Sequence, residues 1–124
     1  MIPESYQKLI KKLVVKTRES KTLWNKTSGE DEYKLELEQG AITIDNYKNT
    51  NRRFVDFRIW NDKGDVIDGI VFPEGTEDYQ TIIELHSIVK RKYYKVDEIV
   101  NDIFKELDND KIIGKEEDDD NLPF

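Results

Sequence analysis

Cysteine is absent from this chain of 124 residues, and histidine occurs once, at His86. No disulfide and no thiolate chemistry is open to it, and a lone histidine removes histidine-based metal clusters. No window approaches the ~18 apolar residues that a membrane span requires. The N-terminus sets Glu4, Lys8, Lys11 and Lys12 among its apolar positions, which is not the pattern of a secretory signal. A cytoplasmic protein with no membrane partner is expected. Gly-rich phosphate loops and Ser-His or His-carboxylate pairings are missing as well, and carboxylates at surface spacing are ordinarily solvated. The expectation is a protein that is not an enzyme, with no cofactor, no catalytic residue and no metal ligand.

Acid outweighs base, with 27 Asp and Glu against 20 Lys and Arg, a net charge of −7. The excess is unevenly spread. Residues 115–124 hold five acids against Lys115, a net of −4, leaving −3 for residues 1–114. Any nucleic-acid surface must therefore be a local patch, and the acidic end would compete with DNA for it at low salt. The length suits one domain with a modest core.

Periodicity divides the chain into an α+β pattern. Tyr6, Leu9, Ile10, Leu13, Val14 and Thr17 recur at helical spacing over residues 3–18, with Pro3 at the first turn. A polar connector over 17–32 follows, pinned to the core by Leu23-Trp24. From Tyr33 the period becomes two. Tyr33, Leu35 and Leu37 form one strand, Gly40 marks a turn, and Ile42 and Ile44 form a second. After a polar 46–53 segment, Val55, Phe57 and Ile59 alternate with Phe54, Asp56, Arg58 and Trp60, which sets an aromatic and an arginine opposite the core. A hairpin over 61–65 leads to a fourth strand at 66–72. Four strands in an antiparallel meander are predicted.

Two helices then follow. The first starts near Thr76 and places Tyr79, Ile82, Ile83, His86 and Val89 on one face, with His86 at the core boundary, and Lys90, Arg91 and Lys92 suit its C-terminus. The second carries a strict stripe of Val96, Ile99, Val100, Ile103, Phe104 and Leu107, which is core or partner interface. The domain reading is one α+β unit over 1–113, with a sheet-plus-helix centre at 33–92, and a flexible, disordered acidic tail over 114–124.

That tail ends in Asp118, Asp119, Asp120, Asn121, Leu122, Pro123 and Phe124. A terminal ring can fill an apolar pocket, its α-carboxylate can be taken by a basic group, and a proline stiffens the approach while the acids steer it. A solvated terminus would also be acidic, but it does not usually close on an apolar anchor. The segment resembles the C-terminal tip of bacterial single-stranded-DNA-binding proteins, in which an acidic run ending in Ile-Pro-Phe or Leu-Pro-Phe recruits replication, recombination and repair enzymes; Asn121 departs from it by replacing an acid. The resemblance implies docking through Asp118, Asp119, Asp120, Leu122, Pro123 and Phe124. Ten residues reach at most about 35 Å, so a recruited enzyme would sit close to the folded part.

Residues 33–80 carry a second resemblance. Phe54-Val55-Asp56-Phe57-Arg58-Ile59-Trp60, a Gly-containing hairpin and Gly69-Ile70-Val71-Phe72 before a helix resemble the DNA-binding domain of the transcriptional coactivator positive cofactor four, and more closely its small bacterial relatives. The family implies a non-enzymatic homodimer that holds single-stranded DNA across its sheets. On the matching positions Arg58 would contact phosphate and Trp60 would stack a base, the latter contributing ~1–3 kcal/mol; Gly69 and Ile70 match the start of the last strand. Lys34, Arg53 and Lys63 join them by charge and placement. The chain departs from the family in its thin basic run, in Glu36 and Glu38 beside Lys34, and in its first and last helices. Without a ligand, Arg58 and Trp60 would be an exposed cation-π pair contributing ~0.5–1 kcal/mol.

Together these readings predict a bacterial or phage protein that binds single-stranded DNA on a dimeric sheet and recruits DNA-maintenance enzymes through Phe124. The alternative is a protein-interaction module without DNA binding, whose tail imitates the tip to occupy the docking pockets of DNA-processing enzymes.

Overall fold

In the computed structural model, residues 2–116 are described. The chain runs through α1 (Glu4–Arg18), β1 (Trp24–Lys26), β2 (Glu32–Leu37), β3 (Gly40–Asn49), β4 (Arg52–Asn61), β5 (Val66–Pro73), α2 (Tyr79–Tyr93) and α3 (Val96–Leu107). The strands form one antiparallel sheet in the order β1-β2-β3-β4-β5. The N-terminal helix, the meander and the two C-terminal helices stand as expected. The docking residues Asp118, Asp119, Asp120, Leu122, Pro123 and Phe124 lie outside the described residues.

The strand count is corrected from four to five. The supposed connector contains β1, whose Trp24, Asn25 and Lys26 pair with Leu35, Lys34 and Tyr33. Three residues are too few for alternation to reveal a strand, and this one exists because Trp24 is anchored. Its ring is buried, and its indole N–H donates to the Thr17 hydroxyl of α1 at 3.2 Å.

A second difference lies between β3 and β4. The polar 46–53 segment belongs to the strands themselves, which run on beyond Ile44 and before Val55 to a two-residue turn at Thr50 and Asn51, with φ of 53° and 68°. Positive φ at both central residues matches the right-handed twist of a hairpin. Tyr47 thereby faces Phe54 across the strands.

Alternation assigns the two faces. Tyr33, Leu35, Ile42, Ile44, Val55, Phe57 and Phe72 point one way and are buried. On them lie α1, through Tyr6, Ile10 and Leu13, and α2, through Tyr79, Ile82, Leu85 and Val89. Tyr6 meets Phe57 edge-on at 6.0 Å, and His86 meets Tyr33 at 5.5 Å. The Tyr6 hydroxyl also donates to Asp68 on β5, tying α1 to the far edge of the sheet. α3 joins neither face. It buries no residue, so its apolar stripe is not core.

Candidate nucleic-acid interface

Among the described residues no helix covers the other face of the sheet. Register arranges its side chains in four rows that cross the strands. Tyr47 pairs with Phe54 and Phe54 with Pro73; Glu32, Asp45, Asp56 and Val71 form the next row; Lys34, Thr43, Arg58 and Gly69 the third; Glu36, Ala41, Trp60 and Val66 the fourth. An acidic row and a cationic row thus lie between two aromatic ones. With ~3.4 Å of rise per residue, the outer rows are about 20 Å apart along β4.

Each row is held by its own contacts. Tyr47 and Phe54 stack with centroids 5.6 Å apart and planes at 20°, and the Arg52 guanidinium lies 5.8 Å from the Phe54 ring centroid. Asp56 organises the middle: it accepts from Arg58 Nη2 at 2.9 Å and from the Tyr47 hydroxyl at 3.2 Å. At the far end Trp60 donates its indole N–H to Thr43 Oγ1 at 2.9 Å, which fixes the ring diagonally across β3. A register shift at Ile59/Trp60 re-aims this residue as the strand ends.

Two glycines make these placements possible. A Cβ on Gly40 would lie 2.0 Å from the Trp60 carbonyl oxygen, so only a residue without one lets β4 approach β3 here. A Cβ on Gly69 would meet Arg58 Cγ at 3.3 Å, so the glycine opposite Arg58 leaves a lane for the arginine stem. Beside Trp60 lies a hollow of about 310 Å³ lined by Lys34, Glu36, Leu37, Ala41 and Asn61, among others.

The electrostatics are mixed rather than basic. Asp45 and Asp56 oppose each other directly across the strands. Desolvation, then the charges of Glu32 and Asp56, push the Asp45 carboxyl above its usual range. Burial and the neighbouring Asp56 raise the Tyr47 phenol. Arg58 spends part of its charge on Asp56, and Lys34 lies 3.2 Å from Glu36. Such a surface favours stacking over phosphate neutralisation.

Of the five residues expected to contact nucleic acid, Arg58, Trp60 and Lys34 share this face. Arg53 does not: it alternates with Phe54 and so falls on the side of Val55 and Phe57, where its backbone N–H reaches a Glu74 carboxylate oxygen at 3.4 Å. Lys63 sits in the β4-β5 turn, next to the Trp60 end. Sequence reasoning missed Tyr47, Phe54 and Arg52 as a group, although Phe54 already fell in the right phase. Among the described residues no three His, Cys, Asp or Glu side chains are placed to hold a metal ion, and no helix is long and apolar enough to cross a membrane. Comparison with protein-family models, with curated proteins and with solved structures finds no match for this chain.

Proposed function

We propose that this protein binds single-stranded nucleic acid, DNA in the first instance, on the uncovered face of its sheet, without catalysing a reaction, and that its acidic Leu-Pro-Phe end recruits DNA-maintenance enzymes. The observation that carries the reading is the pair of aromatic rows, Tyr47-Phe54 and Trp60, flanking Arg58 and Lys34 on a face that no described helix covers. Bases stack on the rings irrespective of sequence, while Arg52, Arg58 and Lys34 follow the backbone. A homodimer, implied by the family resemblance, would join two such faces into a longer track.

Three cations permit few phosphate contacts. The slope of log K against log[salt] should be about −2 or shallower, since each contact to a single strand contributes roughly −0.7. The test is fluorescence anisotropy of a labelled oligothymidine with the full-length chain, the chain ending at Gly114, and Trp60→Ala. The proposal requires binding that Trp60→Ala weakens and that truncation leaves intact or strengthens. No binding by any of the three at low salt would remove the DNA reading.

A further inference from the structure

α3 is the one described helix with no face to pack on. Its apolar residues recur at positions 96, 99, 100, 103, 104 and 107, a single stripe about 140° wide at 100° per residue. Apart from half-buried Val96 this stripe is open to solvent, and Phe104 is 60% exposed. The helix is joined to α2 through Lys95, held in the left-handed conformation at φ 55°, and through the Arg91-Asp97 ion pair at 2.7 Å. A helix of 12 residues is marginal in water unless an amphipathic face is covered.

The rims of the stripe say what kind of surface covers it. On the helical wheel Asp102 and Glu106 border one side, and Asp97, paired with Arg91, borders the other. Residues 96–124 hold eleven acids against three lysines, a net of −8 in a chain whose total is −7. Antiparallel face-to-face pairing of two α3 helices would set the Asp102-Glu106 rim of one against the same rim of the other, and an anionic bilayer would repel it, since helices that lie on membranes carry basic polar faces. An apolar groove rimmed by Lys and Arg meets both demands at once.

We infer that α3 is a docking helix for a second, different protein, whose apolar groove takes Ile99, Val100, Ile103, Phe104 and Leu107 and whose basic rim faces Asp102 and Glu106. This goes beyond the sheet and the tail: it assigns a partner to a segment that neither reading uses, in the mode of an amphipathic helix entering a groove.

The test places a photo-crosslinking phenylalanine analogue at Phe104 of the full-length chain in the cells that naturally carry it, and identifies the joined peptide by mass spectrometry. The captured protein is then purified and titrated against the full chain, Ile103→Asp, and the chain ending at Gly114. The expected result has three parts: the joined peptide lines an apolar groove with Lys or Arg at its edge, Ile103→Asp weakens binding by about tenfold or more, and the truncated chain still binds. Crosslinks only to a second copy of this chain, to lipid, or to nothing overturn the inference, as does a partner that binds Ile103→Asp as well as the parent chain. Loss of binding on truncation alone also overturns it, and leaves the docking role of the tail standing.

Discussion

The two faces of the sheet are built from the same strands but by opposite rules. On the covered face, Tyr33, Ile44, Val55 and Phe57 are fully buried by α1 and α2, so the contribution of each is set by packing. On the open face the aromatic and cationic side chains are held by named contacts: Trp60 by Thr43, Arg58 by Asp56, Tyr47 by Asp56 and Phe54. Side chains fixed without being covered are ready to meet a ligand without the entropy cost of ordering them on binding. The contrast teaches that alternation along β4 encodes both roles, odd positions for stability and even positions for recognition.

The sharpest way to break this division is to change one residue on each side. Phe57→Ala should cost about 3–5 kcal/mol, read by chemical denaturation, because it opens a cavity in a closed core. Trp60→Ala should cost about 1–3 kcal/mol, mostly by leaving the buried Thr43 hydroxyl without its donor, while its effect on oligothymidine affinity should exceed that of any other single substitution on the face. Gly40→Ala unites the two roles. Its Cβ would collide with the Trp60 carbonyl oxygen, so a loss of roughly 3 kcal/mol or more is expected, together with a changed Trp60 emission spectrum.

Acidity separates the faces by sign. His86, on the covered side, has its pKa lowered chiefly by burial. Its neutral form contributes stability that is complete above the unfolded value of about 6.5 and is lost as pH falls through the lower folded value. Asp45, on the open side, has its carboxyl pKa raised chiefly by desolvation. Its protonated form contributes stability that is present at low pH and lost as pH rises through the folded value. Asp45→Asn should therefore raise the melting temperature at pH 7 and tighten oligothymidine binding by removing a negative charge, and His86→Gln should flatten the loss of stability between pH 7 and 5. Thermal melts across that range check both. The smallest effect belongs to the β3-β4 turn: replacing Thr50-Asn51 by Asn-Gly relieves a β-branched residue at positive φ and should gain about 1 kcal/mol.

Much of this plan is readable in the sequence where a pattern runs long enough to repeat. Seven residues of β4 alternate without a break, so the faces of Arg58 and Trp60 follow from period two alone, and the stripes of α1 and α2 follow from 3.6. Short and irregular pieces are not readable. β1 has three residues, and the Thr50-Asn51 turn lacks the glycine that marks such hairpins, which hid the far half of β3 and with it Tyr47. Arg53 is placed on the binding side by charge, yet its position in the alternation sends it to the other face. The stripe of α3 is plain in the sequence, but only tertiary structure separates a core helix from one left uncovered.

The two tryptophans, one on each side of the sheet, give the most direct test. Trp24 is buried against Thr17, and Trp60 lies on the open face. Tryptophan fluorescence of Trp24→Phe and Trp60→Phe, each titrated with oligothymidine, reads the faces separately. The account predicts quenching in Trp24→Phe, where Trp60 alone reports, and none in Trp60→Phe, where Trp24 alone reports. Quenching of Trp24 with Trp60 unchanged would place the nucleic acid elsewhere and contradict the account.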